Sequence, residues 1–128
     1  MKTIIKDTEK VEIDKKLKKE VQALCEEESQ VIVHCRIVEE YGHHIRIWKN
    51  TNLIAHGSAK KSALTHAEHI AFHPRWTLFN RQHNFTLFFK GLSKTCKVFD
   101  LIEDIPEPGG FIKKNIKRNN SDVYHIRL

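Results

Sequence analysis

The sequence predicts a mainly β fold, an antiparallel sandwich or barrel of seven to eight short strands. Three observations carry this. The hydrophobic period falls from about 3.6 to about 2 near residue 30. Short runs rich in Val, Ile and Phe then alternate apolar and polar residues. Gly, Pro and Asn clusters separate those runs. The 128 residues suffice for one core, with 40% apolar and 30% charged residues, a balance that excludes the low-hydrophobicity disordered class. The chain divides into a charged N-terminal segment, 1–29, and a β domain, 30–128.

In chain order, residues 14–28, DKKLKKEVQALCEEE, space Leu17, Val21, Leu24 and Cys25 along one helical face. Asp14 suits the N-cap, while lysines in the first turn and glutamates in the last oppose the helix dipole. A short N-terminal helix is the expectation. In QVIVHCRIV, 30–38, Val31, Val33, Cys35 and Ile37 alternate against Ile32, His34, Arg36 and Val38, the pattern of a central strand. Tyr41-Gly42 supplies a turn into HHIRIWK, 43–49, where Ile45 and Ile47 oppose His44, Arg46 and Trp48. NLIAHG, 52–57, is a short strand ending at glycine, and NFTLFFK, 84–90, puts Phe85, Leu87 and Phe89 on one face. CKVFDLIE, 96–103, is β-rich, and IPEPGG, 105–110, breaks regular structure. FIKKNIK and DVYHIRL follow, separated by Asn119-Asn120-Ser121.

SALTHAEHIAFH, 62–73, reads two ways. Helical spacing would bring His66, His69 and His73 to one face, as in helical metal sites. On a strand, His69 and His73 share a face with Ala71 while His66 points the other way with Glu68. Strands flank the segment on both sides and consecutive strands usually neighbour each other, which favours the strand. No HExxH pattern accompanies the histidines, so a metal site at His66, His69 and His73 is kept as an alternative only.

The order of these runs is familiar. RIWKNTNLI, SALTHAEHIAF and NFTLFFKGLSKTCKVFDLIEDIPEPGGFIKKNI resemble the immunoglobulin-like β-sandwich domains of secreted bacterial proteins, which often precede a thioredoxin-like domain. The shared pattern is an Arg-Ile-x-Lys-x-Thr strand, an Ala-Glu-x-Ile strand and a Phe-Thr-Leu-x-Phe strand with a Leu-containing turn, then Phe-Asp-Leu-Ile-Glu and a Pro-Gly-Gly-Phe entry. It covers roughly residues 30 to 118. The resemblance implies an immunoglobulin-like sandwich acting as an accessory or interaction module, with Phe85, Leu87, Phe89, Phe99 and Leu101 inward. Three departures from that family are expected from the residues given: no signal peptide, no thioredoxin-like domain, and an added charged N-terminal segment.

Charge and motifs bound the function. The formal net charge of +6 is concentrated beyond residue 30, where fifteen Lys/Arg face eight Asp/Glu, an imbalance that favours an acidic partner. No apolar run is long enough to span a membrane. Beginning at Met1 without an apolar leader, the chain is expected in the cytoplasm, or in a secreted or periplasmic setting if a signal peptide was removed. Cys25, Cys35 and Cys96 lack CxxC spacing and are expected as free thiols rather than a disulfide framework or zinc cage. No nucleophile motif or phosphate-cradling loop occurs, so a non-enzyme without a cofactor is expected. Glu103, Asp104 and Glu107 lack the acidic alternation of a calcium loop.

The leading expectation is therefore a module that binds another protein, or forms a homodimer, through Tyr41, His43, His44, Arg75, Trp76, Phe79 and Arg81. These large side chains crowd turn-rich segments, and the aromatic–arginine mixture is typical of interface hot spots. Trp76 and Leu78 could equally continue a strand and fill the core. The alternative is nucleic-acid binding through Lys113, Lys114, Lys117, Arg118 and Arg127, with Trp48, Trp76 and Tyr124 as stacking groups.

Overall fold

A computed structural model describes residues 29–42, 44–58 and 60–128. The expected helix over 14–28, Cys25 and His43 lie outside the described residues. The described chain is all-β, with ten strands: β1 Gln30–Val38, β2 His44–Ile47, β3 Thr51–Ala55, β4 Lys61–Glu68, β5 Ala71–Phe72, β6 Thr77–Leu78, β7 Gln82–Lys90, β8 Val98–Glu103, β9 Ile112–Lys117 and β10 Val123–Arg127. Seven form one sheet in the order β10-β1-β7-β4-β3-β8-β9, and β5-β2-β6 form a second, small sheet.

The alternation read from the sequence decides which side of each strand is inside. Val31, Val33, Cys35 and Ile37 of β1 are buried, as are Phe85, Leu87 and Phe89 of β7 and Phe99 and Leu101 of β8. Each such side chain withdrawn from water contributes roughly 1.5–3 kcal/mol. Ile45 and Ile47 join this core from the small sheet. Phe99 of β8 meets Tyr124 of β10 edge-on, with ring centroids 5.0 Å apart, although four strands separate them in the sheet order. The large sheet therefore curls around one apolar interior, an arrangement compatible with a sandwich.

Two features depart from a plain antiparallel meander. β1 and β10 are parallel, His34 opposite His125 and Arg36 opposite Arg127, so the sheet is mixed. β4 stops at Glu68 because His69 adopts φ +64°, and the chain bends before β5, with Ile70 buried. Segment 62–73 is thus strand, bend and strand, with no helical face.

The turn after β8 depends on two glycines for different reasons. Gly109 has φ +93°, which side chains other than glycine adopt rarely. At Gly110 an added Cβ would lie 2.5 Å from the Glu103 carbonyl oxygen, and backbone cannot yield as a flexible side chain would. Gly110→Ala is expected to cost about 1–3 kcal/mol; a thermal melt identical to that of the unmodified chain would refute the close packing of this turn on β8.

Candidate functional site

The chemistry-bearing side chains collect at one end of the molecule, where β1 turns into β2 and the small sheet lies. On β2 the residues facing away from the core are His44 and Arg46, with Trp48 just beyond the strand. β6 pairs with β2, His44 opposite Leu78, and β5 pairs on the other side, Ile47 opposite Phe72. This frames β2 with the segment that carries His73 and Trp76. The result is a run of ring and cation contacts. His44 lies 4.1 Å from Trp76 between ring centroids. The Arg46 guanidinium carbon sits 3.9 Å from the Trp76 centroid and 5.6 Å from that of Trp48. Trp48 stacks on His73 at 3.6 Å.

Arg46 is held from two further sides. It donates to the Pro74 carbonyl and to Glu107 at 3.2 Å. Its planar guanidinium can stack and hydrogen-bond together, a combination that lysine lacks. A cavity of about 210 Å³ opens beside it, lined in part by Trp76, Glu39, Glu107, Phe111 and Glu103. Glu103, 5% exposed, accepts the Trp48 amide on one oxygen at 2.9 Å and the Phe111 amide on the other at 3.1 Å. Burial pushes its carboxyl up from the ordinary value; the two amide bonds and Arg46 oppose this without cancelling it. Glu103 thus ties the β2–β3 turn to the loop before β9.

Outside this framework the end is exposed and apolar. Tyr41 is 81% exposed, Leu78 80% and Trp76 48%, so Trp76 and Leu78 do not fill the core. Val38, the last residue of β1, is also exposed. Phe79 is half-buried, and its ring leaves no room for a Cβ at Gly42. Arg75 is exposed, and Arg81, also exposed, takes φ +67° while its carbonyl accepts the Glu39 amide. Of the sequence-derived contact residues, Tyr41, His44, Arg75, Trp76, Phe79 and Arg81 all fall at this end, and His43 lies outside the described residues. The sequence assigns Arg46 no role, and it raises His73 as a metal ligand and Glu103 and Glu107 as a calcium loop rather than as neighbours of Trp48 and Arg46. The alternation His44-Arg46-Trp48 was the signal for Arg46; nothing local marks the other three as its neighbours.

The remaining candidates are scattered. His66 on β4 faces Glu68 and Phe88, the His69 carbonyl accepts a hydrogen bond from the His83 ring, and His73 is committed to Trp48. Among the described residues no three His, Cys, Asp or Glu side chains gather as metal ligands would. In the acidic loop Glu103 turns inward and Glu107 pairs with Arg46. Lys113, Lys114 and Lys117 are exposed on the edge strand β9, where lysines discourage edge-to-edge association. Arg118 is bound to Asp122 and to the Ser93 and Cys96 carbonyls, and its hydrogen bond to Asp122 raises its pKa further. Arg127 sits on β10, at the other edge of the sheet order. Cys35 and Cys96 are buried free thiols, and burial pushes the Cys35 thiol up to about 12, which leaves it protonated and inert at neutral pH. No helix among the described residues is long and apolar enough to cross a membrane.

Fold and site together define a mostly-β chain with a framed aromatic–arginine end. Comparison with family models, with curated proteins and with solved structures gives no match, so the geometry alone carries the functional argument.

Proposed function

We propose that this chain is a non-catalytic, immunoglobulin-like β-sandwich module that binds a protein partner through the end carrying Tyr41, Trp76 and Leu78. The observation that supports it is the exposure of these three apolar side chains beside the framework of Arg46, Trp48 and His73 contacts. Large exposed apolar groups cost solubility unless something covers them. A Trp and an Arg held in fixed geometry lose little entropy on binding, which is why such residues dominate interface energetics. Arg46, clamped by Glu107, Pro74 and Trp76, holds the Trp76 ring in place before any partner arrives.

Leu78→Asp and Trp76→Ala separate this reading from a structural one. Leu78 is so exposed that Leu78→Asp should leave unfolding within about 0.5 kcal/mol of the unmodified protein. Capture of a stoichiometric partner from nuclease-treated lysate should be lost, and Trp76→Ala should weaken it by about 2 kcal/mol or more. Undiminished capture by both variants would retire this surface. Sedimentation at rising concentration tests the homodimer as the partner.

A further inference from the structure

We propose that the outer face of β10, β1 and β7 is a binding track for the phosphodiester backbone of single-stranded nucleic acid, with Arg36 and Arg127 as its phosphate-holding pair. This face is separate from the aromatic end and stands independently of the protein-partner reading.

The parallel pairing of β1 with β10 creates the track. In that register identical residue types fall side by side, His34 beside His125 and Arg36 beside Arg127. Neighbouring strands lie about 4.8 Å apart, and successive residues on one face repeat at about 6.6 Å. The first row is a pair of imidazoles stacked with centroids 4.9 Å apart and planes 22° from parallel. The second is a pair of guanidiniums. An open groove of about 570 Å³ runs along both rows, lined by His34, Arg36, Asn84, His125 and Arg127 among others, with no carboxylate among the described residues that line it.

That pairing is unfavourable as it stands. Like charges directly opposite on adjacent strands destabilise a sheet, and none of the ion pairs among the described residues uses Arg36 or Arg127. Arg36 donates one bond to the neutral Gln82 side chain at 2.6 Å, which orients it without neutralising it. A phosphate between the two guanidiniums relieves the repulsion, and each fork can grip two of its oxygens.

Three features select a single-stranded polymer over a lone anion or a duplex. A ring-bearing row and a cationic row lie next to each other along the strands, as a base and a phosphate do in each nucleotide. The face also offers ring surfaces beyond the groove, Phe88 on β7 with His66 on β4 at 5.4 Å, on which bases can stack in a sequence-tolerant way. Four adjacent strands at about 4.8 Å spacing make a face too broad to enter a major groove about 12 Å wide.

The test is fluorescence anisotropy of the full chain with labelled single strands of about 12 nucleotides, within the range one small β domain covers. The unmodified chain should bind at low salt, with affinity falling steeply as salt rises. Arg36→Gln with Arg127→Gln should weaken binding about tenfold or more and reduce the slope against log salt by roughly 0.7 for each phosphate no longer gripped. Both residues are exposed and the substitutions remove a like-charge pair, so the melting temperature should hold or rise. Lys113→Gln with Lys114→Gln, on the far edge strand, should change affinity little, and Leu78→Asp not at all. Absence of binding at low salt, equal loss from the β9 pair, or preference for a duplex or for heparin would each overturn the proposal.

Discussion

Phe99→Ala is expected to lower the unfolding free energy by about 3–5 kcal/mol, a large share of the roughly 5–15 kcal/mol typical of a domain. Phe99 is fully buried, pairs with Ala55 on β3 and Ile116 on β9, and packs edge-on against Tyr124 of β10. It is one of the residues through which the curled sheet meets itself, and truncation removes both the apolar area and the aromatic pair, itself worth about 0.5–1.5 kcal/mol. The comparison is Phe88→Ala, one strand position from the buried Phe89 but half-buried on the outer face. Urea unfolding should give a much smaller loss there. Equal losses at the two positions would contradict the assignment of inner and outer faces.

Glu103→Gln is expected to cost about 1–3 kcal/mol at neutral pH, although it changes one atom type and almost no volume. Each Glu103 oxygen accepts a backbone amide. The glutamine amide has one acceptor oxygen, so its nitrogen must face the Trp48 or Phe111 N–H, donor against donor, where water is scarce. The carboxyl also gives the protein a particular pH dependence. Because burial raises its pKa in the folded chain, the folded state holds this proton more tightly than the unfolded one. Its contribution to stability is fully present below the unfolded value, near 4.3, and is lost as pH rises through the raised value. The stability difference between the unmodified chain and Glu103→Gln should therefore widen as pH falls from neutral into that window. Asp100 works in the opposite sense: its hydrogen bond from the Asn115 amide, aided by His56, holds its carboxyl low, stabilising the fold until pH drops through that lowered value. A Glu103→Gln variant as stable as the unmodified chain at neutral pH would remove Glu103 as the tie between the two turns.

Much of the fold is legible in the sequence, for a definite reason. Alternation in 30–38 and 84–90 assigns inner and outer faces through a period of two that any pleated strand obeys, so Val31 and Phe85 could be placed in the core without knowing the sheet order, whereas Phe99 was placed inward by the family resemblance. Gly109-Gly110 likewise announced a tight turn. Segment 62–73 was readable as strand only by its neighbours, and the bend at His69 was not readable at all, because a left-handed residue other than glycine leaves little local signal.

The site was half legible. Tyr41, His44, Arg75, Trp76, Phe79 and Arg81 could be picked out from their residue types and their turn-rich surroundings. That Arg46 lies over Trp76 and that Glu103 joins two turns depends on β2 pairing with β5 and β6 and on the loop before β9 folding back over β8. The same holds for the two arginines of the outer face. Arg36 and Arg127 lie at opposite ends of the described chain, and their adjacency follows only from parallel pairing of β1 with β10, where a shift of one residue would turn one of them inward. Where alternation is regular and glycine marks the turn, as in 30–38, 84–90 and at Gly109-Gly110, strand identity, inner face and turn position are local properties, and the sequence alone determined them. Which strands meet, in which direction and in what register is set by burying one shared core, and only the tertiary structure decided it. The aromatic end and the arginine pair both belong to that second group.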